Sequence, residues 1–300
     1  MAKTEDKISI IIITYNMGKF IGRALNSLQN QTCPNFEVIV VDNHSQDETE
    51  EIVNAVRDMD IRLIKVHNNG ILSVSRNCGM EKAHGNWIGF LDADDFWAED
   101  RVERLYEEIA AHGNDKDIVA YSNDFIEWDI QKNKKRVCTC GTTAAGREEQ
   151  HRELVLHKNF MTLSGTLVRK DALLAVGMFD EAEQLKTVED YDLWIKLTTY
   201  GKIVFIHEPL CTIVLHEGNY SKKANIQMEA LRYLKQKYLD DSRWTEEERE
   251  AAWNGYALLA MRCLQKNGFF KEAKKIWREY RCLSLKACII LLLSCLHITK

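Results

Sequence analysis

Long apolar runs alternate with amphipathic segments in the first third of the chain. The runs are rich in Ile and Val, which is typical of strands buried on both faces of a parallel sheet, and they occupy residues 8–14, 36–42, 61–66 and 87–91. Three helices are predicted between these runs. The first begins near Lys19, the second follows a capping-box pattern formed by Ser45 and Glu48, and the third covers residues 73–83. The alternation predicts an α/β fold with a doubly wound, mostly parallel sheet.

The pattern loosens after residue 95 but predicts further elements. Helices are expected over residues 99–111 and 191–200, a hairpin over 125–137, and strands over 118–122, 163–168 and 202–206. The Gly-, Thr- and Ala-rich residues 139–147 are predicted to form a mobile loop. Beyond it, helical periodicity starts near residues 225, 246, 271 and 285. We therefore expect a catalytic domain over residues 1–221 and a helical C-terminal extension over residues 222–300.

Composition and charge narrow the class of protein. Hydrophobic residues make up 45% of the 300 residues and charged residues 28%, as in ordinary globular proteins. The net charge of -5 offers no basic field for nucleic acid, so no nucleic-acid partner is expected. The charged first residues lack the apolar core of a signal peptide, and the cysteine count of nine is odd. Reduced thiols and a cytoplasmic location are therefore predicted.

Polar clusters follow three of the predicted strands, at residues 14–16, 42–43 and 92–95. In open α/β sheets, ligands bind beyond the carboxyl ends of the strands, so these clusters are expected at one edge. The acidic side chains of Asp92, Asp94 and Asp95 repel one another, and a divalent cation would compensate their charge. Residues 43–47 fit equally well with a role in helix capping and turn formation.

Five motifs together resemble the family 2 glycosyltransferases, which are inverting enzymes of the GT-A fold. They are IIIITYN at residues 10–16, VVDNHSQD at 40–47, RNCG at 76–79, GFLDADDFW at 89–97 and VEDYDL at 188–193. The resemblance extends from Ile8 to about residue 221. The motif at 40–47 departs from the common family ending, which is more acidic and contains glycine. The identity of the nucleotide base is therefore left open.

The resemblance implies roles for individual residues. The nucleotide-sugar is expected to contact Thr14, Tyr15, Asn16, Asp42, Arg76 and Asp92. Asp94 and the late His216 would hold the metal, and oxygen-rich ligation suits Mn²⁺ or Mg²⁺. The acidic pair Glu189 and Asp190 opens a predicted helix, where acids are also favoured by the helix dipole. In the family this motif supplies the catalytic base, which maps to Asp190.

The implied reaction moves one sugar from a nucleotide-sugar donor, expected to be a UDP-sugar, to a saccharide or lipid-linked acceptor with inversion. Such an enzyme would serve cell-surface polysaccharide synthesis. A sugar nucleotidyltransferase is an alternative, but its glycine-rich triphosphate loop is represented only by Gly18 and Lys19. A catalytically inactive nucleotide-sugar-binding protein is a second alternative. The presence of Asp92, Asp94, Glu189 and Asp190 together argues against it.

The C-terminal segment has two interpretations. Residues 287–298 carry no formal charge, but twelve residues are too few for a spanning helix, which needs about 20. Basic side chains precede this segment at Lys271, Lys274, Lys275, Arg278, Arg281 and Lys286. Peripheral membrane contact through these helices and simple packing on the protein both fit this pattern.

Overall fold

Strands and helices alternate through the computed structural model, which describes residues 7–113, 115–144, 146–216, 224–280 and 285–299. The strands of these residues are β1 (Ile8–Thr14), β2 (Phe36–Asp42), β3 (Ile61–Lys65), β4 (Trp87–Phe90), β5 (Phe96–Trp97), β6 (Ile118–Asp129), β7 (Lys134–Cys138), β8 (Thr166–Arg169) and β9 (Lys202–Leu215). The first helices are α1 (Gly18–Gln29), α2 (Thr49–Ala55), α3 (Leu72–Lys82), α4 (Arg101–His112), α5 (Arg147–Arg152), α6 (Lys170–Ala175) and α7 (Glu189–Tyr200). The C-terminal helices are α8 (Ala224–Leu239), α9 (Glu246–Lys266), α10 (Phe270–Tyr280) and α11 (Leu285–Cys295).

The strands form one mixed sheet. Its order is β3-β2-β1-β4-β8-β6-β9-β5, and β7 pairs with β6. The four strands from β3 to β4 are parallel, so their carboxyl ends meet at one edge. On the other side, β8 is antiparallel to β4 and β6, whereas β9 runs parallel to β6. The predicted α/β fold with a C-terminal helical extension is confirmed.

Burial explains why the first strands were readable from the sequence. All seven residues of β2 are buried, and β1 has only one residue that is not fully buried. Helix α1 covers the sheet with Ile21, Leu25 and Leu28, which join the same core as Ile10 and Val40. Removing the side chain of Leu25 beyond its Cβ would cost about 2–5 kcal/mol, because little room exists for the core to collapse.

Two elements differ from the prediction in length. Strands β6 and β9 extend well past residues 122 and 206, where the sequence pattern was expected to break. They pair in parallel almost to their ends, and register shifts at residues 123–125 accommodate Pro209. Pro lacks the N–H that a regular ladder needs, so it favours such an irregularity. His207 precedes Glu208 and Pro209, and this order predicts a turn residue. The structure places His207 within β9, so that prediction is wrong.

The predicted capping box of Ser45 and Glu48 is also wrong. Helix α2 begins at Thr49, and the residue before it provides no side-chain cap. Ser45 instead donates its hydroxyl to the Asp42 carboxylate at 2.5 Å. Its hydroxyl oxygen also accepts the backbone N–H of Asn16 at 2.8 Å. The serine therefore fastens two loops at the sheet edge rather than starting a helix.

The described residues divide into two compact units. The first holds the sheet and comprises the chain up to His151, Phe160–Glu181 and residues 193–216. The second comprises Arg152–Asn159, Ala182–Asp192 and the chain from Ala224 onward. Residues 152–159 and 182–192 thus associate with the C-terminal helices. The predicted domain boundary after residue 221 lies outside the described residues.

Helices α9, α10 and α11 form the C-terminal part of the second unit. Helix α9 starts with a capping box in which Thr245 and Glu248 exchange side-chain and backbone hydrogen bonds. Met261 of α9, with Ala287 and Ile290 of α11, forms a small apolar core. Across the residues that the structure describes, no helix has the length and apolar character needed to cross a membrane.

Candidate active site

An acidic turn follows β4 at the edge where the parallel strands end. The backbone N–H of Asp95 donates to the carbonyl oxygen of Asp92 at 3.0 Å, which closes the turn. The side chains differ in exposure, with Asp92 at 38%, Asp94 at 15% and Asp95 buried. The turn therefore offers two accessible carboxylates and one that is enclosed by protein.

Asp94 and His216 meet across the site. The Nε2 atom of His216 lies 2.8 Å from Oδ2 of Asp94, and the imidazole is buried while the carboxylate stays partly exposed. The ring of Phe20, from α1, stacks on the imidazole with centroids 4.3 Å apart. Three distant parts of the chain thus position one carboxylate and one imidazole together. The structure brings together the two residues that were predicted as metal ligands.

Asp95 links this turn to β9. Its carboxylate accepts the Ser164 hydroxyl at 2.6 Å and the backbone N–H of Val214 at 2.9 Å. Burial raises the pKa of Asp95 well above its usual range, and the charges of Asp94 and Asp92 add to that effect. Ser164 also accepts the backbone N–H of Asp92 at 3.1 Å. Asp95 and Ser164 therefore hold the accessible carboxylates in place.

Two arginines partly neutralise the negative charge of the acidic turn. An Nη atom of Arg76 lies 3.3 Å from Oδ1 of Asp92, and its guanidinium packs over the Phe179 ring. Arg23 of α1 donates to the backbone carbonyl oxygen of Asp94 at 2.7 Å. Burial lowers the pKa of Arg23, and this effect is opposed by the nearby Asp95 and Asp94 carboxylates. Arg76 was predicted from its motif, whereas Arg23 belongs to no motif and was missed.

The loops after β1 and β2 interlock beside the acidic turn. Asn16 has a left-handed backbone (φ 52°), and its side-chain oxygen accepts the N–H of Gln46 at 2.7 Å. Asp42 is fully buried, and both of its carboxylate oxygens accept hydrogen bonds from Ser45. Tyr15 is 52% exposed and faces solvent. These contacts make the edge rigid where the nucleotide was predicted to bind.

Thr14 provides an unsatisfied polar atom in this region. Its hydroxyl oxygen is buried and has no hydrogen-bond partner among the residues that the structure describes. Buried polar atoms in folded proteins nearly always have a partner. The end of β1 is therefore suited to a ligand or water that completes the hydrogen bond of Thr14.

The departure from the family motif after β2 has a structural counterpart. His44 takes a left-handed backbone (φ 60°), a conformation that favours glycine. Its ring stacks on His67, which follows β3, with ring centroids 3.8 Å apart. Nearby, Asn43 accepts the backbone N–H of Asn68 at 3.0 Å. The second and third loops are thus joined by side chains that a glycine would lack.

Glu189 and Asp190 open helix α7 and belong to the second unit. The backbone N–H of Tyr191 lies 2.7 Å from Oδ1 of Asp190. Two residues later, the fully buried Asp192 accepts two hydrogen bonds, from the Lys237 ammonium group at 2.7 Å and from the Tyr238 hydroxyl at 2.8 Å. The contacts of Asp192 therefore make it a structural residue. The catalytic role of Asp190 stays a prediction.

Solved structures share this fold. One of them is S. aureus TarS residues 1–349, solved with UDP-GlcNAc. It is 19% identical to this chain with a TM-score of 0.63, and the match covers 91% of this chain and 89% of that chain. The mannosyltransferase PcManGT from Pyrobaculum calidifontis, solved with GDP-Man and Mn²⁺, is 17% identical, with a TM-score of 0.62 and coverages of 96% and 79%. The class is therefore that of the GT-A-like folds.

Sequence comparison gives the family. Residues 9–177 match the model described as Glycosyl transferase family 2, and this is more than half of the chain. The protein belongs to glycosyltransferase family 2. A relative from Escherichia coli, UDP-Glc:alpha-D-GlcNAc-diphosphoundecaprenol beta-1,3-glucosyltransferase WfaP, is 29% identical over 194 residues, which cover 65% of this chain and 71% of the relative.

Proposed function

We propose that the protein transfers a single sugar from a UDP-sugar to a saccharide or lipid-linked acceptor, with inversion at the anomeric carbon. The observation that carries this proposal is the meeting of Asp94 and His216 beside Asp92 at the carboxyl edge of the sheet. The E. coli relative, whose name specifies UDP-Glc and a diphosphoundecaprenol-linked acceptor, supports the donor and acceptor classes. We further propose that this reaction serves cell-surface polysaccharide synthesis at the cytoplasmic side of the membrane.

A divalent cation fits the residues at this edge. In the described part of the chain, no group of three or more His, Cys, Asp or Glu side chains converges as a metal site. Asp94 and His216 would therefore hold Mn²⁺ or Mg²⁺ together with oxygens of the donor. The mixed carboxylate and imidazole set favours Mn²⁺, because Mg²⁺ prefers oxygen ligands. When bound, the cation would neutralise charge on the departing diphosphate.

The donor is held by residues of the first unit. Thr14, with its unsatisfied hydroxyl, and the exposed ring of Tyr15 would contact the nucleotide at the end of β1. Asn16 and Asp42 would shape this pocket through their contacts with the loop after β2. Asp92 would accept a hydrogen bond from a ribose hydroxyl, and Arg76 beside it would face the diphosphate.

Asp190 is proposed as the general base and Glu189 as its neighbour that orients groups around it. A direct displacement with inversion needs one carboxylate to take the proton of the attacking hydroxyl, and it forms no covalent intermediate. Asp190 stands in the first turn of α7, where the family motif places this base. A positioned base of this kind contributes about 10²–10⁴-fold to the rate.

The test is a panel of nucleotide sugars with candidate acceptors, read by release of nucleoside diphosphate with and without Mn²⁺. Metal-dependent release that requires an acceptor would support the proposal. A sugar nucleotidyltransferase would instead release pyrophosphate from a nucleoside triphosphate and a sugar phosphate. Donor binding without any turnover would favour an inactive binding protein, and Asp94→Asn serves as the control for background hydrolysis.

A further inference from the structure

Helix α11 exposes large apolar side chains on its outer face. Its only serine, Ser294, is fully buried and donates its hydroxyl to the backbone carbonyl of Ile290 at 2.8 Å. Three large apolar side chains face outward, with Ile289 50% exposed, Leu292 59% exposed and the following Leu296 59% exposed. A helix in water normally shows the opposite arrangement. The outer face therefore suits an apolar environment.

The inner face of α11 already has its packing partners. Ala287 and Ile290 pack on Met261 of α9, and Ile276 and Trp277 of α10 lie against the same cluster. The outward side chains recur at Ile289, Leu292 and Leu296, which is the spacing of one helical face. This outer face is consequently not used to hold the three helices together.

The C-terminal segment that carries this face is strongly basic. From Arg262 onward the sequence carries nine Lys and Arg against two Glu, a net charge of +7 in a chain whose total is -5. Lys275 and Arg278 of α10 are exposed, as is Lys286, which lies three residues before Ile289 on the same face of α11. One of the two acids, Glu279, pairs with Arg232 at 2.6 Å. The exposed charge on α10 and α11 is therefore mainly positive.

We propose that the face of Ile289, Leu292 and Leu296 docks on the surface of an anionic lipid bilayer, together with Lys286 of α11 and the exposed Lys275 and Arg278 of α10. Exposed leucines beside basic side chains match an interface in which apolar groups enter the headgroup boundary and cations meet lipid phosphates. Eleven helical residues span about 16 Å, so α11 lies in the interface and does not cross. A symmetric contact between two copies of the chain would bring the same basic residues together. The repulsion between their charges disfavours a second copy as the partner of this face.

The experiment is co-sedimentation of the full chain with phosphatidylcholine vesicles, with and without phosphatidylglycerol. Wild-type protein should bind the anionic vesicles, and added salt should weaken that binding. The triple change Ile289→Gln, Leu292→Gln and Leu296→Gln should lower the partition coefficient at least about tenfold. A matched control is Leu174→Gln, because Leu174 is 58% exposed in α6, away from these helices in the sequence.

A second set of variants removes charge and leaves the apolar side chains of α11 in place. Lys275→Gln with Arg278→Gln and Lys286→Gln should reduce binding to anionic vesicles and remove most of its salt dependence. Equal binding of wild-type protein to neutral and anionic vesicles, or no binding to either, would overturn the proposal. So would a dimer in sedimentation velocity that the glutamine changes dissociate without altering vesicle binding. Turnover of soluble substrates is measured separately, so failure here leaves the proposed reaction untouched.

Discussion

The backbone N–H of Val214 donates to the buried carboxylate of Asp95 at 2.9 Å. This bond ties strand β9 to the acidic turn two residues before His216 reaches Asp94. The second oxygen of Asp95 accepts the Ser164 hydroxyl, so both oxygens of this side chain have partners. The proposed metal-site geometry therefore depends on Asp95. Its two hydrogen bonds go to Ser164 and Val214, and not to the side chains of the predicted ligands Asp94 and His216.

Asp95→Ala is expected to destabilise the protein by about 2–4 kcal/mol, because it leaves two buried donors without an acceptor. Urea denaturation measures this change in the free energy of unfolding. Asp171→Ala is the control, since its carboxylate is 66% exposed, and it should change stability by less than about 1 kcal/mol. A variant of Asp95 as stable as wild type would contradict the role of this side chain as a link to β9.

Asp94→Ala is expected to weaken Mn²⁺-dependent donor binding at least about a hundredfold, and His216→Ala at least about tenfold. The reason is that each change removes one of the two side chains proposed to hold the metal. Isothermal titration calorimetry with a UDP-sugar, with and without Mn²⁺, measures the effect. His207→Ala in the same strand is the control, because its side chain is 71% exposed. Unchanged donor affinity in Asp94→Ala would remove that residue from the metal site.

Glu37 predicts a pH dependence of stability. This β2 side chain is 1% exposed, and it accepts hydrogen bonds from Ser9 at 2.6 Å and from the backbone N–H of His84 at 2.7 Å, beside Arg62 at 2.6 Å. Burial alone would raise the pKa of Glu37, but these hydrogen bonds and the Arg62 charge lower it to about 2. Because the folded-state pKa lies below the unfolded-state pKa of 4.5, ionised Glu37 stabilises the folded protein at pH values above 4.5. This stabilisation is lost as the pH falls from 4.5 toward about 2.

Glu37→Gln should therefore lower the free energy of unfolding by about 3 kcal/mol at neutral pH, and the difference from wild type should shrink below about pH 4.5. Urea denaturation between pH 2 and pH 7 measures both curves. The exposed Glu51→Gln change is the control and should lie within about 0.5 kcal/mol of wild type throughout. A constant difference across this range would show that charge on Glu37 is not the source of the stabilisation.

The fold was predictable where burial leaves a simple pattern. The runs at β1 and β2 are apolar on both faces, and their bounds agree with the structure. Strand β9 was underestimated because Glu208 and Pro209 look like a break, although the register shift at β6 lets the strand continue. A bulge depends on the neighbouring strand, so the local sequence carries little signal for it.

Residues of the candidate site that belong to a motif could be predicted from the sequence. Residues that reach the site only through tertiary packing could not. Asp92 and Asp94 follow a buried strand and could be selected from the sequence. Arg23 and Phe20 lie in α1 with no distinctive spacing, yet they reach Asp94 and His216 respectively. These pairings join residues far apart in sequence, so neither periodicity nor residue type reveals them.

The final prediction concerns the proposed base. Asp190→Asn should keep the fold and donor affinity while sugar transfer falls at least about a hundredfold, because an amide of nearly the same size cannot accept the proton. Glu189→Gln should cost less if that side chain only orients groups around it. Steady-state transfer and donor titration on both variants separate chemistry from binding.

Asp192→Asn provides the matched control for the first turn of α7, since the Asp192 carboxylate bonds Lys237 and Tyr238 and is structural. This control should lower stability in urea denaturation more than it lowers the transfer rate of the folded fraction. Asp190→Asn should show the reverse, because it removes a proton acceptor and keeps the shape of the side chain. Near wild-type turnover in Asp190→Asn would exclude it as the base. A larger loss in Glu189→Gln would transfer the role to Glu189.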